Sequence, residues 1–306
     1  MQLPSMHQAG FIQSLTMKIG ILFTVNEYSV DPASLARKME ALGFESLWIP
    51  EHAIIPVHTT TPLPESPPGQ GQIPEVYSHI SDPFVAMSFA AAATTRLKLA
   101  TGVMLVPERN PIVAAKEIAT LDHFSGGRVM LGIGAGWLKE ESEILGVDFP
   151  HRWSQTKEYI ASMRELWTKP EPSFSGKYVN FPPVRMYPKP AQAGGPPILI
   201  GSKDKSALRW VARWGDGWCP IFLPPPVLRD ELRKLRGECE SAGRDYSRLD
   251  ITIMKRELRG DRASVQGGLR EYEDAGAHRF VIMQIGARMT AATYEAELDR
   301  LAALYV

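Results

Sequence analysis

The sequence has little cysteine and no long apolar run. Its two cysteines are Cys219 and Cys239, and no CxxC pair occurs in the 306 residues. This scarcity argues against a disulfide framework or a structural zinc site, and it is typical of proteins of the reducing cytoplasm. No apolar stretch approaches the roughly 20 residues that span a bilayer, so we expect no transmembrane helix.

The sequence has no excess of charge of either sign. Its 34 lysines and arginines balance 34 aspartates and glutamates, so the formal net charge is zero. We therefore expect neither a nucleic-acid partner nor an anionic membrane partner. Motifs of several other chemistries are missing as well. There is no HExxH, no GxSxG, no Walker spacing and no clustered histidine–cysteine set, so no metal site is expected.

The beginning of the chain carries no regular pattern. The first residues lack the basic segment and the continuous apolar segment of a signal peptide. We expect residues 1–16 to form a disordered or irregular extension and residues 17–306 to form a single domain.

From residue 17 onward, short β-rich segments alternate with amphipathic helical segments. The strands are expected at residues 18–24, 44–50, 97–105, 128–134, 196–202, 217–222, 249–254 and 279–286. Such alternation implies parallel strands with helices outside, because parallel neighbours need crossover connections. Eight units in a chain of this length predict an α/β fold, the closed (β/α)8 TIM barrel.

Two stretches rich in proline and glycine are longer than ordinary barrel loops. They cover residues 53–81, after the second strand, and residues 169–195, before the fifth. Long ordered loops in compact domains tend to be lids or walls of functional sites. We therefore expect both insertions to shape a substrate pocket at the carboxyl end of the barrel, where this fold places active sites.

The fourth strand leads into a cluster of glycines, in the stretch RVMLGIGAGW at residues 128–137. A Rossmann fingerprint needs GxGxxG after the first strand and an acid about 20 residues later. Here the spacing is GxGxG and three strand–helix units precede it, so a dinucleotide-binding domain does not fit. At the top of a barrel strand, Gly134 and Gly136 would leave bare backbone for a flat or anionic ligand, or would form a tight turn without one.

Four stretches together resemble the luciferase-like monooxygenase superfamily, most closely its deazaflavin (coenzyme F420)-dependent oxidoreductases. They are GFESLWIPEH (43–52), ATGVMLVPERNPIVAAKEIATLDHFSGGRVMLGIGAGWLKEE (100–141), EYIASMRELWT (158–168) and VRMYPKPAQAGGPPILIGSKDKSALRWVARWGDGWCP (184–220). The resemblance implies the same barrel, hydride transfer between F420 and a small organic substrate, and a homodimer. An FMN-dependent monooxygenase is the alternative, and a barrel that binds a flavin-like molecule without catalysis is a third.

The resemblance also implies a catalytic pair and a support for the ring. Glu51 and His52 match an acid–histidine pair after the second strand, whose histidine lies beside the reactive carbon in related enzymes. His52 is therefore the expected proton-transfer residue. Glu51 would either orient His52 or be an ordinary loop acid. Gly102 and Val103 match a third-strand bulge that backs the ring, often through a cis peptide bond.

Further cofactor contacts are expected at two other strand ends. Ala135, Gly136 and Trp137 match the turn that faces the cofactor, next to Gly134. Gly201 and Ser202, with Lys203 adjacent, match a turn that commonly holds the cofactor phosphate. Arg152, which opens a helix, would reach the same phosphate.

One departure from the family concerns its sugar-phosphate dehydrogenase branch. That branch carries a glutamate as proton donor where this chain has Trp137, which puts that substrate and that acid in doubt. Glu140 and Glu141 follow about one helical turn later, where we expect them to point to solvent. Trp137 would stack on the ring, wall the pocket or simply pack. Arg109 would meet an anionic group, or only precede the Asn110 helix cap.

Overall fold

A closed barrel of eight parallel strands forms the centre of the computed structural model, which describes residues 16–64, 72–285 and 289–306. In chain order the strands are β1 (Lys18–Phe23), β2 (Ser46–Ile49), β3 (Lys98–Leu105), β4 (Val129–Gly134), β5 (Phe174–Ser175), β6 (Asn180–Phe181), β7 (Ile198–Ile200), β8 (Gly217–Trp218), β9 (Asp250–Lys255) and β10 (Arg279–Gln284). β5 and β6 form a separate antiparallel pair, and β10 pairs with β1 to close the ring of the others. The predicted α/β class and eight-stranded barrel are confirmed.

The helices pack around the outside of the barrel. They are α1 (Pro32–Leu42), α2 (Pro83–Ala93), α3 (Pro111–Ser125), α4 (Lys139–Ile144), α5 (Arg152–Thr168), α6 (Ala207–Arg213), α7 (Pro225–Ser241), α8 (Arg262–Ala275) and α9 (Tyr294–Tyr305). The first three begin at a proline preceded by a capping residue, because Asp31, Asp82 and Asn110 accept hydrogen bonds from first-turn N–H groups. In the part of the chain that is described, no helix is long and apolar enough to cross a membrane.

The barrel interior is filled by side chains and closed at its amino end. Successive strand residues point to opposite faces, so one set faces the helices and the other faces the barrel axis. The inner set includes Trp48, which is fully buried and donates to Ser46 Oγ at 2.8 Å. At the amino end, Arg279 pairs with Glu45 at 2.8 Å and with Asp250 at 2.9 Å. This packing leaves the carboxyl end of the barrel for a site.

The two predicted insertions differ in structure. Residues 53–81 follow β2 and include a short 3-10 helix at Glu75–His79. Residues 169–195 lie between α5 and β7 and contain the β5–β6 pair. The predicted amino-terminal extension lies outside the described residues, apart from Thr16.

Candidate functional site

A cavity of about 650 Å³ lies at the carboxyl end of the barrel. Small-molecule sites commonly have volumes of about 300–1,000 Å³. All the residues predicted for the site line this cavity, namely Glu51, His52, Gly102, Val103, Gly134, Ala135, Gly136, Trp137, Arg152, Gly201, Ser202 and Lys203. The parallel topology explains the grouping, because the carboxyl ends of all barrel strands meet at one rim.

The two insertions contribute unequally to the cavity wall. Residues 53–81 supply Leu63, Tyr77 and Ile80 to it. Residues 169–195 are all described, and none of them lines the cavity. The expectation that both insertions shape the pocket is therefore wrong for the second one, which packs near α3 and α5 instead.

The floor of the cavity is formed at the predicted bulge of β3. The register between β3 and β4 shifts between Thr101 and Met104, and the Gly102–Val103 peptide bond is cis. A β-carbon built on Gly134 would lie 2.9 Å from a Val103 methyl, and one built on Gly201 would lie 2.6 Å from the other. These two glycines therefore make room for the Val103 side chain, a role that the sequence pattern did not indicate.

His52 is held between two side chains. Its Nδ1 lies 2.5 Å from Glu141 Oε2, and its Nε2 lies 3.3 Å from the indole Nε1 of Trp137. The His52 side chain is 6% exposed and that of Glu141 is 0% exposed. The Tyr77 ring lies beside His52, with the ring centroids 5.4 Å apart.

The expectation that Glu140 and Glu141 point to solvent is wrong, because the first turn of α4 packs against the segment after β2. Glu141 Oε1 accepts hydrogen bonds from the backbone N–H groups of Ala53 and Ile54 at 2.8 and 3.2 Å. Glu140 accepts from the backbone of Thr60 and Thr61 in the first insertion. Sequence reasoning missed Glu141, because its contact with the segment after β2 joins residues 87–89 positions apart and leaves no local signal.

Glu51 is paired with Arg109 rather than with His52. Glu51 Oε1 accepts from Arg109 Nε at 2.5 Å, and Oε2 accepts from the Leu105 N–H at 2.6 Å. Burial raises the pKa of the Glu51 carboxyl, and the neighbouring Arg109 guanidinium opposes that rise. The alternative in which Glu51 orients His52 is therefore wrong, since both carboxylate oxygens have other partners.

Arg109 is occupied by carboxylates of three different segments. Besides Glu51, it contacts Asp82 at the start of α2 at 2.5 Å and Glu117 of α3 at 3.5 Å. The alternative in which Arg109 meets an anionic cofactor tail or substrate is therefore not supported. Asn110 caps α3 as predicted.

A further carboxyl with a buried oxygen, that of Glu108, lies behind the turn that follows β4. Ser142 Oγ donates to Glu108 Oε1 at 2.7 Å, while Glu108 Oε2 is buried without a hydrogen-bond partner among the described residues. Burial raises the pKa of Glu108 to about 8, and the nearby charges of Glu141 and Glu51 contribute to the rise. Its position within a predicted loop gave no signal of this environment.

Cationic and polar groups border the cavity near the start of α5 and the end of β7. Arg152 donates to the carbonyl of Gly136 at 3.1 Å, and its guanidinium lies 4.1 Å from the centroid of the Phe149 ring. Ser202 and Lys203 line the same cavity, directly after β7. Guanidinium, ammonium and hydroxyl groups are suitable partners for an anionic ligand group such as a phosphate.

Comparison with known proteins identifies relatives along most of the chain. The family model of luciferase-like monooxygenases matches residues 29–279. The uncharacterized protein Rv0953c of Mycobacterium tuberculosis is 38% identical over 231 residues, which cover 75% of this chain and 80% of that protein. The F420-dependent glucose-6-phosphate dehydrogenase of Kineococcus radiotolerans is 28% identical over 244 residues, 78% of this chain and 66% of the relative. The FMNH(2)-dependent dimethylsulfone monooxygenase of Pseudomonas putida is 32% identical over 155 residues, 50% of this chain and 42% of the relative.

Solved structures share the fold at lower sequence identity. The monooxygenase RslO1 of Streptomyces bottropensis superposes with a TM-score of 0.77 at 21% identity, covering 94% of this chain and 97% of that one. The coenzyme F420-dependent tetrahydromethanopterin reductase of Methanopyrus kandleri gives a TM-score of 0.71 at 17% identity, with 94% and 98% covered. From the family match over residues 29–279, the chain belongs to the luciferase-like monooxygenase family.

Proposed function

We propose that the chain is an F420-dependent oxidoreductase that transfers hydride between the deazaflavin and a small organic substrate. The observation that carries this proposal is the placement of His52, a proton-transfer group, on a cavity whose floor is formed by peptide groups and Val103. The F420-dependent relative matches 78% of the chain and the FMNH(2)-dependent one 50%, which favours the deazaflavin.

The residues around the cavity fit a planar ring with an anionic tail. The ring would lie on the Gly102–Val103 peptide, with Ala135 and Gly136 at its edge. The phosphate would lie near Gly201, Ser202 and Lys203, with Arg152 lining the same cavity. When bound, the deazaflavin supplies the carbon that accepts or donates hydride. The protein supplies alignment and the exclusion of water.

His52 handles the proton that accompanies hydride transfer. Removal of a hydride from an alcohol carbon leaves the hydroxyl proton, and the lone pair of His52 Nε2 takes it. In the reverse direction, the same nitrogen returns a proton to the carbonyl oxygen. Glu51 supports the site without touching reacting atoms, since it joins the segment after β2 to the end of β3 through Leu105 and Arg109.

An FMN-dependent monooxygenase is the second candidate, and the relative from Pseudomonas putida favours it. Titration of the cofactor-free protein with F420 and with FMN separates the two, because Trp137 and Trp153 line the cavity and their fluorescence reports ring binding. We expect F420 to quench the fluorescence saturably at concentrations at least about tenfold lower than FMN does. A tenfold difference in dissociation constant corresponds to about 1.4 kcal/mol of binding free energy. Tighter binding of FMN would favour the second candidate.

Turnover separates an enzyme from a carrier. The F420-loaded protein is mixed with a panel of alcohols, and the protein with reduced F420 is mixed with a panel of ketones and enones. We expect the deazaflavin absorbance to change with at least one panel member. Tight F420 binding with no change across both panels would indicate a barrel that only carries the cofactor.

We also propose a homodimer of a cytoplasmic protein. The outer face of α2 carries Val85, Ser88, Phe89 and Ala92, with Val85 and Phe89 each 59% exposed. Two large exposed apolar side chains one helical turn apart support an interface. Light scattering of the wild type and Phe89→Glu is expected to give a dimer and a monomer, and a monomeric wild type would contradict the proposal.

The cytoplasmic location is supported by the cysteines. Cys219 and Cys239 are buried and unpaired, which suits a reducing compartment.

A further inference from the structure

We propose that Glu141 is a positioning residue that fixes the tautomer of His52, so that the proton lies on Nδ1 and the lone pair on Nε2. The inference rests on the proposed function, in which His52 Nε2 exchanges the proton. His52 and Glu141 are 89 residues apart in sequence, and their contact depends on the packing of α4 against the segment after β2.

The hydrogen bonds of Glu141 define what it presents to His52. Its Oε1 accepts from the N–H groups of Ala53 and Ile54, and its Oε2 faces His52 Nδ1 at 2.5 Å. A carboxylate with these donors offers only acceptor oxygens to the imidazole. His52 Nδ1 must therefore carry a hydrogen, whatever the state of Nε2.

The second neighbour of His52 specifies the same tautomer independently. The indole Nε1 of Trp137 is a donor only, and it lies 3.3 Å from His52 Nε2. In neutral His52, Nε2 is then the acceptor, with its lone pair available once the indole turns aside. If Nε2 carried a proton, its N–H group would face the indole N–H group, and two donors cannot form a hydrogen bond. Proton uptake by His52 Nε2 is therefore linked to displacement of the Trp137 indole.

Among the described residues, the other titratable groups near His52 make contacts of their own. Tyr77 packs against it ring to ring, and the carboxylate of Glu51 is taken by Leu105 and Arg109. Glu108 bonds Ser142. Among the carboxylates of residues 16–64, 72–285 and 289–306, Glu141 is thus the one that contacts His52.

Replacement of Glu141 by glutamine tests the assignment sharply. The two N–H groups of Ala53 and Ile54 hold the amide oxygen of the glutamine in the place of Oε1, so its NH₂ group faces His52 Nδ1. Two donors cannot share this 2.5 Å contact, whereas the longer, 3.3 Å contact between His52 Nε2 and the Trp137 indole can open. The neutral imidazole is therefore expected to switch to the Nε2–H tautomer, with the indole turned aside. Glu143→Gln is the matched control, because Glu143 lies on the same helix, is exposed and pairs with Lys139.

The tautomers are read by nitrogen-15 NMR of histidine-labelled, cofactor-free protein at a pH where His52 is neutral. We expect Nδ1–H in the wild type and in Glu143→Gln, and Nε2–H in Glu141→Gln. Wild-type protein with Nε2–H, or Glu141→Gln with unchanged Nδ1–H, would overturn the inference. Where Glu141→Gln fails to fold, Trp137→Phe decides the matter, because it removes the indole donor from Nε2. Nδ1–H retained in Trp137→Phe would support Glu141 as the group that fixes the tautomer, and Nε2–H would overturn the inference.

F420 titration of the same three proteins keeps this inference apart from the proposed function. We expect dissociation constants within about twofold of one another, since Glu141 supports His52 rather than the cofactor. The expected tautomer switch in a protein that does not bind F420 would leave the inference standing and contradict the proposed function. F420 binding without the tautomer switch would support the proposed function and overturn the inference about Glu141.

Discussion

The side chain of Val103 occupies the space beside Gly201, where a β-carbon would lie 2.6 Å from Val103 Cγ1. Real β-carbons do not approach other atoms so closely, so either the valine or the backbone of β7 must shift in any substituted protein. The end of β7, the end of β4 and the β3 bulge are therefore packed as one unit. This unit forms the floor on which we propose that the ring lies.

Gly201→Ala is expected to reduce the free energy of unfolding by about 1–3 kcal/mol, the usual cost of overpacking, and to weaken F420 binding. In a Val103→Ala background the same change is expected to cost less, because the methyl group that it meets is gone. Urea denaturation of the four proteins of this double-mutant cycle measures the coupling. An equal cost of Gly201→Ala in both backgrounds would contradict the packing described.

Arg109→Leu is expected to destabilise the protein by about 3 kcal/mol, because it leaves the buried Glu51 carboxylate without its cation. The loss is expected to be larger near pH 8 than near pH 5. Without Arg109 the folded-state pKa of Glu51 rises further above its unfolded value, so the folded protein keeps a proton that the unfolded chain loses as the pH rises. Thermal unfolding at the two pH values measures this difference.

Arg185→Ala is the matched control for Arg109→Leu. Arg185 pairs with Glu171 at 2.6 Å, but both side chains are more than half exposed. Its loss is expected to change stability by less than about 1 kcal/mol at either pH. A similar effect of the two substitutions would show that burial of Glu51 is unimportant.

Glu108→Gln is expected to stabilise the protein increasingly as the pH rises from about 6 to about 9. The pKa of Glu108 is about 8 in the folded protein, whereas its ordinary value is 4.5. Between these values the folded protein holds a proton that the unfolded chain has lost, so wild-type stability falls with rising pH. Between pH 6 and pH 9, the free energy of unfolding of Glu108→Gln is expected to rise relative to that of the wild type by on the order of 2 kcal/mol. Urea denaturation at both pH values measures this change. Parallel pH dependence of the two proteins would contradict the burial of Glu108.

His52→Ala is expected to lower the rate of hydride transfer by about 10²–10⁴-fold and to change the dissociation constant of F420 little. Stopped-flow absorbance of the deazaflavin with the best substrate of the panel gives the rate, and tryptophan fluorescence gives the affinity. His123→Ala is the control, since His123 is exposed near the end of α3, away from the cavity. An unchanged hydride-transfer rate in His52→Ala would remove His52 from the chemistry.

The barrel could be predicted because each strand and helix carries a local signal. Two strands are shorter than predicted, in part because of proline residues. β8 was expected over residues 217–222, but only Gly217 and Trp218 form the paired strand. Pro220 has no N–H to donate, and Ile221 returns to the sheet as a single bridge with Met254. β7 similarly begins after Pro196 and Pro197.

The location of the site was predictable, but its side-chain pairs were not. Parallel topology brings all strand ends to one rim, so residues after strands were expected together there. Glu51 and His52 are adjacent in sequence, yet their side chains find different partners, Arg109 and Glu141. These partners lie 58 and 89 residues away along the chain. No local spacing specifies contacts between such distant segments, since they depend on how helices pack against loops.

A crystal structure of the protein grown with F420 tests the proposed ring site most directly. We predict density for the deazaflavin ring on the Gly102–Val103 peptide, with its reactive carbon on the side of His52 and its phosphate beside Ser202 and Lys203. Ring density elsewhere, or a cavity closed by side chains while F420 binds at another surface, would contradict the proposed binding site.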